Sequence, residues 1–186
     1  MRRSDRSAPP FASVRLSPPI VDGPDVGAFA IDSSGVRVVL EANLALYGVA
    51  LAGAGPAVRL DSAPRPASPG TFVLAAGAPH AAYRGSESFG VSEFFAAPLD
   101  ASAPPAKVNG ELVFGPVTGD VVDFALTSAG DHVVYLADGD TDETLELYST
   151  RTSGRARVHK LNEPLPAGPS AFGGIGSFRL HQAGPE

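Results

Sequence analysis

The chain has no cysteine and no tryptophan, one methionine, and only two lysines, Lys107 and Lys160, among 186 residues. Without cysteine, disulfides and thiolate chemistry are excluded. The absence does not choose a compartment, because both cytosolic and many periplasmic proteins lack cysteine. Few basic residues and a net charge of −6 argue against a nucleic-acid partner, which would need clustered Lys and Arg. No apolar run approaches the roughly 20 residues of a membrane span. The N-terminus "MRRSDRSAPPFASVRLSPP" begins basic but has no apolar stretch, so it does not read as a secretory signal. What is abundant is glycine (21) and proline (18), which point to many turns, within a composition 44% hydrophobic and 18% charged, typical of a globular domain.

The hydrophobic residues are organised as a repeat. Phe-x-Ile/Leu occurs as "FAI" (29–31), "FVL" (72–74), "FAL" (124–126) and "FRL" (178–180), each followed by a glycine: Gly35, Gly77, Gly130 and Gly184. After the first three glycines come further short apolar runs. The second runs are "VVL" (38–40), "AAY" (81–83) and "VVY" (133–135). The third are "LYGVAL" (46–51), "EFFAAPL" (93–99) and "ELYSTR" (146–151). The fourth are "AVRL" (57–60), "PAKV" (105–108) and "RVHKL" (157–161). "SVRLS" (13–17) reads as an additional fourth run. Each unit is four short strands, A to D, in about 45–50 residues, the period of a propeller blade. A single four-stranded sheet cannot bury both faces, and radial stacking buries them against each other. No segment carries a sustained 3.6-residue apolar period, so almost no helix is expected.

The best copy, "VVDFALTSAGDHVVYLADGDTDETLELYSTRTSGRARVHKLNEPLPAG" (121–168), resembles the TolB-like, WD-type propeller repeat of bacterial proteins. In that repeat strand A leads into an S-P-D-G-type turn. Here the turns read "DSSG", "AAG", "TSAG" and "HQAG", keeping the glycine and losing the Pro and Asp. The resemblance implies an interaction platform, in some relatives one that caps a peptidase, and a periplasmic setting, whereas the sequence as given carries no export signal. The expected fold class is all-β: a partial β-propeller of four-stranded antiparallel blades, about three full and two half. Blade units fall at about 26–60, 70–108 and 121–161, with partial units at 11–20 and 175–184, after a disordered tail at 1–10. One D strand, three blades and one A strand make fourteen strands. Closed propellers use about four to eight blades, so the expected partner is either another protein or the remainder of a longer propeller.

"DGDTDE" (138–143) places Asp138, Asp140, Asp142 and Glu143 in the B–C hairpin of the third blade. The D-x-D-x-D spacing resembles the start of a calcium loop and makes Asp138, Asp140 and Asp142 weak metal candidates. The rest of that loop is missing: Glu143 stands where glycine is required and Ser149 where a bidentate carboxylate is required. The equivalent segments "EANLA" (41–45) and "RGSESFGVS" (84–92) have no such cluster, so the expectation is a solvated turn, with no metal and no cofactor. Arg37, His80 and His132 share one position before strand B. They sit on different sheets about 10 Å apart, too far to share a zinc. No nucleophile elbow, phosphate loop or zinc-protease motif is present. The recurring Phe of strand A and Tyr83 and Tyr135 of strand B are expected to pack between sheets.

The expected function is therefore a non-catalytic scaffold for protein or ligand binding. Its recognition surface is expected at the blade end shared by the B–C turns and the long Pro/Gly-rich D–A connections, made acidic by Asp22, Asp25, Asp138, Asp140, Asp142 and Glu143. The alternative is a propeller domain associated with a serine peptidase whose catalytic domain is absent from this chain.

Overall fold

The structure, a computed structural model, describes residues 13–20, 25–53, 55–61, 65–66, 72–74, 79–86, 91–113, 120–141, 144–154, 157–165 and 173–181. Among them there is no helix, and fourteen strands form three sheets.

Blade 1 is β1 (Phe29–Ile31), β2 (Arg37–Ala42), β3 (Ala45–Ala50) and β4 (Val58–Arg59), in that spatial order. Blade 2 contains β6 (Phe72–Leu74), β7 (His80–Ser86), β8 (Glu93–Pro98) and β9 (Ala106–Lys107), and β5 (Arg65–Pro66) also pairs with β7. Blade 3 is β10 (Val121–Leu126), β11 (His132–Ala137), β12 (Thr144–Arg151) and β13 (His159–Lys160), with β14 (Gly173–Gly174) pairing in parallel with β12. Apart from β14, every strand pair within a sheet is antiparallel. Strands A to D fall where the apolar runs place them, so the chain is an all-β array of three propeller-type blades.

Register explains the repeat. One transverse row in each blade carries the strand A phenylalanine, then a large strand B residue, an aromatic strand C residue and a strand D cation. The rows are Phe29–Leu40–Tyr47–Arg59, Phe72–Tyr83–Phe95–Lys107 and Phe124–Tyr135–Tyr148–Lys160. Because side chains alternate across a strand, this row defines one face of each sheet, here called the front. The fronts of blades 2 and 3 are buried on the back of the blade before. Tyr83, Phe95, Ala97 and Leu99 of blade 2 pack with Val39, Leu46 and Leu60 of blade 1. Tyr135, Val133, Ala137 and Tyr148 of blade 3 pack with Ala82, Phe94, Ala96 and Val108 of blade 2. Burying a side chain of this size contributes about 1.5–3 kcal/mol, so these two seams hold the array together. Tyr83 stacks on Phe95 (5.6 Å between centroids, 21°) and Tyr135 on Tyr148 (5.5 Å, 25°).

Two expectations about the ends change. Residues 13–20 form no strand, although Leu16 and Ile20 pack on the front of blade 1 with Val38, Leu40 and Val49. Residues 178–180 also form no strand. A D strand needs a C strand and an A strand needs a B strand for its ladder bonds, and among the described residues neither segment has one. The two extra strands are instead β5 and β14. The recurring phenylalanine is likewise not always core: Phe29 is 69% exposed, because among the described residues no preceding sheet covers the front of blade 1. The proposed tail at 1–10 lies outside the described residues.

Candidate functional site

At the end of the array shared by the B–C turns and D–A connections, a cleft of about 420 Å³ opens between blades 2 and 3. One wall is Gly110, Glu111 and Leu112, the start of the D–A connection of blade 2. The other is the B–C turn of blade 3 at Ala137, Gly139 and Asp140, with Tyr135, Tyr148 and Lys160 from the transverse row.

Each side chain here is held by backbone register. Tyr135 accepts a hydrogen bond from the Gly110 amide (3.2 Å), which ties the two blades, and burial pushes its phenol up. The Tyr148 hydroxyl donates to Glu146 Oε2 (3.0 Å), and burial, then the Glu146 carboxylate, pushes its pKa well above the usual tyrosine range. Glu146 is buried yet bonded to the Lys160 ammonium, which also reaches Asp140 Oδ2 at 2.9 Å. These two carboxylates, Glu146 first, raise the Lys160 pKa. At neutral pH the cleft thus offers neutral phenols and a charged ammonium, flanked by the exposed Glu111 and the largely exposed Asp140. Gly139 forms part of the floor: a Cβ there would meet the Tyr148 hydroxyl at 2.7 Å.

The buried ion pair is one copy of a device found in every blade. At the end of each D strand an Asp or Asn side chain accepts from a strand C amide. These are Asp61 from Leu46 N–H (3.2 Å), Asn109 from Phe94 N–H (2.7 Å) and Asn162 from Leu147 N–H (2.8 Å). Two residues earlier stands the row cation. Lys107 bonds the buried Glu93, and Lys160 bonds the buried Glu146. In blade 1, Ala45 occupies the glutamate position and Arg59 Nε bonds Asp61 itself (2.8 Å). Sequence reasoning missed this set. Its trace is a cation-aliphatic-Asp/Asn triplet: "RLD" (59–61), "KVN" (107–109) and "KLN" (160–162).

Of the acidic residues singled out from sequence, the three that are described, Asp25, Asp138 and Asp140, play different parts. Asp138 is 6% exposed. Its Oδ1 accepts from the Asp120 amide (2.7 Å) and its carbonyl from Val113 N–H (3.0 Å), so it braces the entry to strand A instead of facing solvent. Asp140 lies in the cleft, and Asp25 is exposed at the entry to blade 1. Asp22, Asp142 and Glu143 lie outside the described residues. Among the described residues no group of three His, Cys, Asp or Glu side chains could hold a metal ion. His132 Nδ1 lies 3.0 Å from Asp131 Oδ2, while Arg37 donates to the Leu99 carbonyl across the first seam (3.3 Å). No helix among the described residues is long and apolar enough to cross a membrane.

No protein-family model matches the chain, and no curated protein matches it in sequence. Among solved structures, it is similar to a protein of Agrobacterium tumefaciens named as a TolB, at 16% identity and a TM-score of 0.49. The match covers 74% of this chain and 46% of that one, so it spans less than half of the solved protein.

Proposed function

We propose that this chain is a non-catalytic propeller-type scaffold that binds a protein or ligand at the end formed by the B–C turns and D–A connections, working within a larger propeller. The observation that carries the reading is the cleft between blades 2 and 3. Two packed sheets present aromatic, cationic and acidic groups there beside the B–C turn and the long D–A connection, and recognition concentrates on connections held by a rigid scaffold. The protonation states support binding over catalysis. A phenol held above its usual range and an ammonium held charged are poor bases and poor nucleophiles at neutral pH.

The test is a binding screen followed by variants at opposite ends of the blades. Asp140→Lys and Glu111→Lys alter the cleft without touching a seam, and His132→Glu alters the A–B end. Loss of binding in the first pair with retention in the third is expected. Loss confined to His132→Glu would sink the reading.

A further inference from the structure

The two segments that form no expected strand lie where strands of neighbouring blades would lie. At the interior seam, Ala106 on strand D of blade 2 packs against Gly154 in the C–D turn of blade 3, so closely that a Cβ on Gly154 would overlap it. Val14 stands in the same relation to Gly53 in the C–D turn of blade 1: a Cβ on Gly53 would lie 2.5 Å from its Cγ1. Leu16 joins the front cluster of blade 1 as Leu60 joins that of blade 2 and Val108 that of blade 3. "VRL" (14–16) thus holds the strand D place of a preceding blade.

The other end is equivalent. Strand A of blade 3 begins with a parallel bridge, Asp120 to Ser92, and Val121 N–H donates to the Ser92 carbonyl (2.8 Å). Segment 173–181 begins with a parallel pairing, Gly174 to Leu145, and Ile175 N–H donates to the Leu145 carbonyl (2.8 Å). Phe178 then follows Gly174 at the spacing with which Phe124 follows Asp120. This segment holds the strand A place of a following blade.

We propose that segments 13–20 and 173–181 are caps that restrain head-to-tail pairing of two copies of this chain, and that displacing them lets the back of blade 3 of one copy take the front of blade 1 of the other. The proposal does not depend on the cleft. The occupant follows from the interior seams, where among the described residues the surface against a front face is the apolar back of the blade before it, Val39, Leu46 and Leu60 at the first seam and Ala82, Phe94 and Ala96 at the second. Blade 3 has such a back, with Val134, Leu136 and Leu147 alternating with its front residues. Blade 1 has the unfilled front: Phe29, Ile31, Val26 and Leu51 are 69%, 51%, 41% and 40% exposed and border an apolar groove of about 320 Å³. Val14–Leu16 stands where β13 of the other copy would pack, and Gly174–Leu180 stands where its β1 would pack, so pairing must displace both. Two copies of the three described blades make six, within the about four to eight of closed rings.

The experiment is light scattering coupled to gel filtration on the full chain, with folding checked by circular dichroism. The wild type is expected to run at its 19.0 kDa monomer mass. Leu16→Asp with Ile175→Pro removes the apolar anchor of one cap and the amide donor of the other, and should double the mass. Adding Phe29→Asp, at an exposed position, should restore the monomer, and so should adding Leu161→Asp on the back of blade 3. Mixing those two monomeric variants leaves one intact junction and should regain part of the dimer. A folded but monomeric uncapped variant would overturn the proposal. So would a dimer indifferent to Leu161→Asp, which would be front-to-front, or an open-ended ladder of masses. If the uncapped variant does not fold, Leu16→Ser with Ile175→Pro loosens the same two caps without introducing charge, and its mass is read in the same way.

Discussion

Blade 1 and blades 2 and 3 solve one problem with different charges. In each, the strand C amide next to the hairpin needs an acceptor from the end of strand D, and the row cation needs an anion. Blades 2 and 3 divide the work: a neutral asparagine takes the amide (Asn109, Asn162) and a buried glutamate takes the lysine (Glu93, Glu146). Blade 1 has alanine where the glutamate would be, and one buried carboxylate, Asp61, does both jobs with arginine as its partner. The difference teaches that the blade specifies satisfied backbone geometry and a neutralised charge, and leaves open which residue supplies the anion. Both solutions obey the same rule, that buried polar groups are hydrogen-bonded and buried charges paired.

The largest effect should come from removing the shared anion of blade 1. Asp61→Ala leaves the Leu46 amide without its side-chain acceptor and Arg59 without its carboxylate. A loss of about 2–3 kcal/mol is expected, mostly the cost of a buried amide left without its acceptor, because Arg59 is half exposed and water screens its lost partner. Glu146→Ala should cost less, about 1–3 kcal/mol, because Asn162 still holds the strand C amide and Lys160 keeps Asp140. Chemical denaturation of the two variants checks the order, and an equal or reversed order would break the comparison.

A transplant sharpens it. Asp61→Asn with Ala45→Glu rebuilds in blade 1 the arrangement of blade 3. Each single change is expected to destabilise, the first by stripping Arg59 of its anion, the second by burying a carboxylate beside Asp61. The double variant should recover a coupling of about 1–2 kcal/mol, within the range for residues in one network. Strictly additive losses would show that the two arrangements are not interchangeable.

How much of this was legible follows from what each interaction leaves in the sequence. Strand positions were legible because Phe29, Phe72 and Phe124 sit at one register position; packing against the blade before uses it at Phe72 and Phe124, and the pattern persists at the exposed Phe29. The charged device was hidden for the opposite reason: carboxylate, amide and cation trade places between Ala45–Arg59–Asp61 and Glu146–Lys160–Asn162, so no single column is constant. Asp138 misled because spacing alone cannot tell a carboxylate aimed at solvent from one folded back onto the Asp120 amide. Segments 13–17 and 178–180 carry strand-like residues, but a strand also requires a neighbour, and that is a property of the whole array.

The C–D turns permit a smaller test. Each is closed by a bond back three residues: Gly53 N–H to Ala50, Ala101 N–H to Pro98 and Gly154 N–H to Arg151. The turn residue has φ of 67°, 54° and 71° respectively, and only blade 2 places a residue with a Cβ there. The left-handed region costs an L-residue roughly 1–2 kcal/mol, and glycine surrenders about half of that gain through its freer unfolded chain. Ala101→Gly should therefore stabilise by about 0.5–1 kcal/mol, read as a rise in the denaturation midpoint without a change in slope. Destabilisation would mean that the alanine makes a contact its two counterparts lack.

The smallest effect expected is a pH dependence that separates the A–B turns. In blade 1 the turn is held by a carboxylate: Asp32 Oδ1 accepts from Val36 N–H (2.9 Å) and Arg37 N–H (2.8 Å), and Ser34 donates to Oδ2. In blade 3 a hydroxyl does the equivalent work, Thr127 Oγ1 accepting from His132 N–H at 3.3 Å. The Ser34 hydroxyl, then the Arg37 amide, lowers the Asp32 pKa in the folded state. A lowered folded pKa means the unfolded chain binds the proton more readily, so protonation favours unfolding. The contribution is fully present above the ordinary aspartate range of about 3.9 and is lost as pH falls through the lower folded value. Asp32→Thr should copy the blade 3 turn and remove this part of the acid sensitivity. Its stability should fall less steeply than that of the wild type below about pH 4, with Asp100 and Asp131, both also lowered, supplying the slope that remains. Parallel curves for wild type and variant down to acid unfolding would show that the Asp32 turn opens before its carboxylate titrates.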